Sequence, residues 1–143
     1  RLTGNSSKSG LIPSLLRFMR QNPQLPVLGT CAGAILLADP RDGKNSLIGS
    51  SIIRNGYGRQ NESFQTEIYS KLLMRNYPGI FIRAPKFSSI EDSNSVIATF
   101  GKDIVGVRKF NRIALSFHPE LSHDNGFHRW LLEQAIIYSE ILA

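Results

Sequence analysis

The stretch PVLGTCAGAILLA, residues 26–38, decides how this chain folds. The apolar run at residues 26–29 predicts a short buried strand, and residues 32–38 predict a helix. Between them, Gly29, Cys31 and Gly33 form the pattern G-x-C-x-G, which is typical of a sharp strand-to-helix turn that exposes its central residue. Both glycines are expected to be required because neighbouring backbone passes too close for a Cβ atom. The stretch therefore predicts a nucleophile elbow with Cys31 at its apex.

Cys31 is the only cysteine, which excludes an internal disulfide and a cysteine-based zinc cluster. At the start of a helix, the dipole and the free N–H groups favour the thiolate form of the side chain. The N–H of Ala32 would point at a developing oxyanion. The alternative interpretation is a buried structural cysteine at a tight turn, since a lone cysteine is usually a small buried apolar residue.

A second candidate group lies in SFHPEL, residues 116–121. Its His-Pro-Glu motif comes directly after the predicted strand at 112–117. Pro119 disfavours helical backbone at His118, and positions i and i+2 of an extended chain point to the same side. His118 and Glu120 are therefore expected to pair, with the carboxylate orienting an imidazole that accepts the thiol proton. The alternative is a turn with an exposed histidine and glutamate. Because the carboxyl ends of parallel strands meet at one edge of a sheet, Cys31 and His118 are expected to meet there.

The rest of the pattern predicts a three-layer α/β fold with a mostly parallel sheet. Apolar spacing predicts helices at residues 9–21 and 126–142, the second with an apolar stripe that runs to Ile141. A first β-α-β unit is missing from this pattern, so we expect a single domain over residues 1–143 that is incomplete at its N-terminus. Further strands are predicted at residues 47–54, 63–69, 80–84, 95–100, 104–108 and 112–117.

Composition narrows the classes of function. The net charge is +6, from 17 Lys+Arg against 11 Asp+Glu, but the basic residues are scattered. This distribution favours a solvated surface or an acidic protein partner over nucleic acid. No run of 18 apolar residues exists to span a membrane. His123 is expected in a loop and His128 on the last helix, so a histidine-only metal site has little support.

Four segments resemble the glutaminase subunit of pyridoxal 5′-phosphate synthase, within the class I (triad) glutamine amidotransferases. The cysteine and His-Pro-Glu motifs are shared across that superfamily, whereas the second and third segments are specific to the vitamin B6 branch. The resemblance covers residues from about 3 to 140 and implies a flavodoxin-like α/β sandwich. The segments are LGTCAGAILLA at 28–38, RNGYGRQNESF at 54–64, FIRAP at 81–85 and FHPEL at 117–121.

The resemblance implies hydrolysis of L-glutamine to L-glutamate and ammonia through a γ-glutamyl thioester. The ammonia would pass to a (β/α)₈-barrel synthase subunit in a cytoplasmic hetero-oligomer, with no cofactor, metal, nucleic acid or membrane required of this chain. Asn5 occupies the position that supplies the second oxyanion N–H beside Ala32. The resemblance assigns catalysis to Cys31, His118 and Glu120, and glutamine contacts to Gly4, Asn5, Ser6, Arg59, Ile82 and Arg83.

Two alternatives stay open at this point. The family has a PGGES-like loop where this chain has Gly4-Asn5-Ser6, and loss of the glutamate removes an acceptor for the substrate ammonium. That departure favours a weakened or non-catalytic regulatory module. The other alternative is a glutaminase that serves a different pathway, which the segments at 54–64 and 81–85 argue against.

Overall fold

The computed structural model describes residues 10–57 and 63–143. The helix predicted at residues 32–38 has the bounds that the sequence predicts. The strand predicted at 47–54 is reduced to the three residues Ser51–Ile53, and the strand Lys86–Ser88 is an element that the sequence pattern does not reveal. The helices are α1 (Leu11–Gln21), α2 (Ala32–Ala38) and α3 (Gly126–Leu142), and the strands are β1 (Val27–Thr30), β2 (Ser51–Ile53), β3 (Ser63–Ser70), β4 (Arg75–Ile82), β5 (Lys86–Ser88), β6 (Val96–Phe100), β7 (Asp103–Lys109) and β8 (Arg112–Leu115).

Six strands form one sheet in the order β1-β8-β7-β6-β3-β4, and β2 pairs with β5 in a second, two-stranded sheet. Among the described residues of the large sheet, β1 and β8 pair in parallel and the other neighbours are antiparallel. The expected mostly parallel sheet is therefore wrong for this part of the chain. Short connections join β3 to β4, β6 to β7 and β7 to β8, and a parallel pair needs a longer crossover.

The large sheet separates two apolar clusters, which confirms the predicted α/β sandwich. Side chains alternate along β8, so that Ile113 and Leu115 face one cluster and Ala114 faces the other. The first cluster contains the start of α3 and most of the aromatic residues, whereas the second contains α1 and α2. This arrangement places the C-terminal ends of β1 and β8 next to each other, where the candidate residues lie.

Helix α3 is less covered than the sequence predicts. Phe127 and Trp130 in its first turns are buried, but Ile136 is 51% exposed and Ile141 is 68% exposed. The apolar stripe thus exists in the sequence, but the described residues cover only its beginning. Within those residues, no helix combines the length and the apolar character needed to cross a bilayer.

Candidate active site

The strand-to-helix turn at Cys31 has the strained backbone expected of an elbow. Cys31 lies between β1 and α2 with φ 51° and ψ −102°, a combination that is rare for residues other than glycine. Its N–H donates to the carbonyl of Leu115 at 2.9 Å, and its own carbonyl accepts from the N–H of Ile35 at 3.0 Å. The first bond extends the β1–β8 ladder by one residue, and the second starts the helix. The side chain is therefore held at the carboxyl end of the parallel pair.

The two glycines of the elbow do not have the same role. A Cβ atom at Gly29 would lie 2.7 Å from Leu37 Cδ1 and 2.8 Å from the Gly33 carbonyl oxygen, so only glycine fits. At Gly33, no described atom outside its local helix lies within 4 Å of the Cβ position. The prediction that both glycines avoid a close contact is correct for Gly29 and wrong for Gly33. The helix backbone at Gly33 is the obstacle that Gly29 avoids.

The pair of glycines provides a matched test of the elbow. We expect Gly29→Ala to lower the free energy of unfolding by about 1–3 kcal/mol, because its methyl group is forced against α2 backbone. Gly33→Ala adds the same methyl group to a helix without a clash, and is expected to stabilise the protein by up to about 1 kcal/mol. Urea unfolding of both variants measures these changes. Equal destabilisation by the two substitutions would contradict the packing described for Gly29.

The surroundings of Cys31 favour the neutral thiol in this state. Partial burial raises the pKa of the Cys31 thiol above its ordinary value; the N–H of Ala32 acts in the opposite direction, and the charge of Glu120 raises the pKa further. The N–H of Ala32 thus favours the thiolate, but burial outweighs its effect. A base is consequently needed to remove the thiol proton at neutral pH.

His118 and Glu120 meet as the sequence predicts, although by a different local route. His118 Nδ1 lies 2.6 Å from Glu120 Oε2, with the histidine side chain 20% exposed. The residues Pro119–Leu121 form a 3₁₀ turn rather than a continued extended chain. The expectation of an extended i, i+2 pair is therefore wrong in its geometry. The turn brings the carboxylate back toward the imidazole that precedes it.

The carboxylate of Glu120 is held in its charged form. Partial burial raises the pKa of the Glu120 carboxyl, but the hydrogen bond to His118 and its own backbone N–H outweigh this and leave the pKa below its ordinary value. A charged carboxylate on Nδ1 leaves the other ring nitrogen of His118 available for proton exchange. The charge of Glu120 also acts on the Cys31 sulfur, which places all three groups within one electrostatic site.

The end of strand β4 contributes backbone groups that the sequence motifs do not reveal. The N–H of His118 donates to the Ile80 carbonyl at 2.8 Å, and the Cys31 Sγ lies 3.8 Å from the Ile82 carbonyl oxygen. Arg83 follows directly in the left-handed region at φ 46°, with an exposed side chain. The Ile82 carbonyl is thus next to Cys31, and Arg83 follows it in the chain. That both residues contact the substrate, as the resemblance implies, stays a prediction.

The remaining candidates divide into distant and undescribed residues. His123 lies in the loop before α3 and His128 lies on α3, as expected, and both side chains are exposed. Among residues 10–57 and 63–143, no cluster of three or more His, Cys, Asp or Glu side chains is suited to a metal ion. The candidate residues Gly4, Asn5, Ser6 and Arg59 lie outside the described part of the chain.

The described arrangement is suited to acyl transfer through a thiol. A neutral thiol, an imidazole fixed by a carboxylate and an N–H group at the helix start lie at one sheet edge. These are the groups that a thiol nucleophile, its general base and an oxyanion donor require. Substrates with an amide or ester carbonyl match this set of groups.

Residues 4–137 of the sequence match the family model described as the SNO glutamine amidotransferase family. Among curated relatives, the pyridoxal 5′-phosphate synthase subunit PdxT of Methanosphaera stadtmanae is 43% identical over 108 residues, which are 73% of this chain and 55% of the relative. The subunit of the same name from Thermococcus onnurineus is 38% identical over 136 residues, 90% of this chain and 68% of that protein. The chain thus spans between about half and two thirds of the length of these relatives.

The fold has a counterpart among solved structures. A crystal structure described as a glutamine amidotransferase superposes with a TM-score of 0.77 at 34% sequence identity, and it covers 91% of this chain and 70% of its own. A second glutamine amidotransferase, from Thermotoga maritima, has a TM-score of 0.55 at 16% identity and is similar in fold alone. Both comparisons agree with the α/β sandwich described above.

Proposed function

Because the chain belongs to the SNO glutamine amidotransferase family, we propose that it is a glutaminase that hydrolyses L-glutamine to L-glutamate and ammonia. The observation that carries this proposal is the placement of both groups at the carboxyl ends of the parallel pair: Cys31 at its strained elbow directly after β1, and the His118–Glu120 contact shortly after β8. The raised pKa of the thiol is consistent with a nucleophile that needs the imidazole to become reactive. We take the whole chain as part of one amidotransferase domain.

The proposed reaction proceeds in two acyl transfers. His118 accepts the thiol proton as the Cys31 sulfur attacks the amide carbon of glutamine, and the Ala32 N–H stabilises the oxyanion. The C–N bond then breaks as the imidazolium returns its proton to the leaving ammonia, which leaves a γ-glutamyl thioester. A water molecule attacks the thioester while His118 accepts one of its protons. The C–S bond breaks, glutamate leaves and the proton returns to the sulfur.

Substrate contacts are proposed at the end of β4 and in two segments outside the described part of the chain. The Ile82 carbonyl is already within 3.8 Å of the sulfur, and Arg83 follows it with a guanidinium suited to a carboxylate. Asn5 is proposed to supply the second oxyanion N–H. By resemblance to the family, Gly4, Asn5, Ser6 and Arg59 complete the glutamine site.

The proposed recipient of the ammonia is a (β/α)₈-barrel synthase subunit that makes pyridoxal 5′-phosphate. The curated relatives are named as subunits of pyridoxal 5′-phosphate synthase, which supports a hetero-oligomer of this kind. We propose that the protein acts in the cytoplasm, with no cofactor of its own and no nucleic-acid or membrane partner. The scattered distribution of basic residues agrees with a protein partner.

Isotope transfer tests the proposal as a whole. The protein, mixed with the synthase subunit of its own organism and the sugar phosphates, is given glutamine labelled with ¹⁵N at the amide. We expect mass spectrometry to find one ¹⁵N atom in the pyridoxal 5′-phosphate formed. A parallel reaction with labelled ammonium salt shows whether the synthase itself is active. Label that enters from ammonium but never from glutamine would favour the non-catalytic module, and glutamate release without labelled product would favour another pathway.

A further inference from the structure

We infer that Phe81 is a positioning residue that sets the relative placement of Cys31 and His118 without contacting either reacting group. The inference rests on the proposed function, because it concerns the geometry of that reaction. It depends on the outer edge of β4, on the ring contacts of Phe81 and on Phe117, the residue directly before His118. None of the motifs in the sequence assigns a role to this residue.

The outer edge of β4 contacts both halves of the site. Among the described residues, β4 is the last strand of the large sheet and pairs with β3 along its other edge. Carbonyls of alternate residues in a strand point the same way, so Ile80 and Ile82 direct theirs away from β3. The Ile80 carbonyl accepts the N–H of His118, and the Ile82 carbonyl lies 3.8 Å from Cys31 Sγ. One short segment of backbone therefore contacts both His118 and Cys31.

Phe81 lies between these two carbonyls and is fully buried. Its ring stacks on Phe64 at 4.7 Å between centroids with an interplanar angle of 7°. It also contacts Phe117 at 5.7 Å, and Phe117 is the residue directly before His118. Phe81 thus packs β4 against the segment that precedes His118, on the side of the core. A shift of this ring moves both carbonyls, and hence both contacts, together.

A matched pair of substitutions separates positioning from general stability. Phe127 is equally buried and contacts the same Phe117 ring at 5.8 Å, but it lies on α3. Phe81→Leu and Phe127→Leu each remove one ring from Phe117. Phe127 also packs on Tyr77 of β4 at 4.8 Å, but only Phe81 lies between Ile80 and Ile82, whose carbonyls face the site. In the complex with the synthase subunit, we expect Phe81→Leu to lower kcat on the order of 10- to 100-fold, the cost of misplaced reacting groups. Phe127→Leu is expected to retain the wild-type kcat.

A spectroscopic readout follows the β4 contact directly in the isolated chain. The sequence contains two Ile–Arg peptide bonds, Ile53–Arg54 and Ile82–Arg83. Labelling isoleucine carbonyls with ¹³C and arginine nitrogens with ¹⁵N therefore gives two signals in a carbon-detected correlation spectrum. The Ile82 signal is expected to move as Cys31 loses its proton at alkaline pH, and Cys31→Ala removes that movement. The Ile53 signal comes from β2, and no described hydrogen bond joins its carbonyl to Cys31, so it serves as the internal control.

Phe81→Leu is expected to reduce the pH-dependent movement of the Ile82 signal, and Phe127→Leu to preserve it. Equal loss of kcat in both variants, or an unchanged Ile82 response in Phe81→Leu, would overturn the inference and leave Phe81 a structural role only. If Phe81→Leu does not fold, Phe64→Leu removes the stacked neighbour and is expected to produce the same changes to a smaller extent. Absence of glutaminase activity in the wild type would refute the proposed function, whereas the spectra would still decide on Phe81.

Discussion

Cys31→Ala is expected to reduce glutamate release from glutamine on the order of 10⁴- to 10⁶-fold in the complex with the synthase subunit, since the covalent step is lost. The alanine side chain fits the elbow because it lacks only the sulfur, so the fold and the β1–β8 ladder are expected to persist. Steady-state assay of glutamate measures the loss. Wild-type rates in this variant would show that the thiol is not the nucleophile.

Two controls make the Cys31 result specific. Supplying ammonium salt to the Cys31→Ala complex is expected to restore pyridoxal 5′-phosphate formation, because only the supply of ammonia is lost. A glutamine analogue with an electrophilic side chain is expected to modify the wild-type protein at Cys31 and to leave the variant unmodified, as intact mass shows. A loss that ammonium cannot restore would indicate a failure of assembly instead.

His118→Asn is the second change with a large expected effect. Loss of a general base costs about 10²- to 10⁴-fold in kcat, less than loss of the nucleophile. The cost is limited because a thiolate is reactive once it forms. Burial and the charge of Glu120 raise the pKa of Cys31, so the thiolate is scarce at neutral pH without the imidazole. We therefore expect the activity of His118→Asn to rise steadily with pH on the alkaline side, where the thiol loses its proton unaided.

The matched control for His118 is His128→Asn. His128 is an exposed histidine on α3 whose charge also acts on Glu120, but the structure gives it no contact with the Glu120 carboxylate like that of His118. We expect this variant to keep near-wild-type kcat with an unchanged pH profile. If both histidine variants lost activity equally, the assignment of the base to His118 would be wrong.

Local sequence predicted the parts of the site that local backbone determines. The bounds of α2 are those expected from residues 32–38, because the elbow and the helix both depend on neighbouring residues. The pairing of His118 with Glu120 was predicted as a contact but with the wrong backbone. Proline restricts the residue before it, and it does not prevent the next residues from turning.

Tertiary contacts determine what the sequence pattern did not reveal. The antiparallel pairing of β3 with β4 and the approach of Ile80 and Ile82 to the site follow from how the sheet curls. No local pattern encodes a backbone carbonyl that serves a residue dozens of positions away. The apolar stripe of α3 was visible in the sequence, but its exposure depends on which segments pack against it.

The contact between β4 and the strand-to-helix turn at Cys31 also affects when the proposed site forms during folding. The contact from Cys31 to Ile82 spans 51 residues, so it forms only after a long loop has closed. Contacts of this length are slow to form, whereas the helix after Cys31 needs only its neighbours. A partly folded chain therefore carries its thiol before β4 has reached it. The proposed reactivity toward glutamine depends on these late contacts, so we expect an incompletely folded chain to consume little of the amino acid.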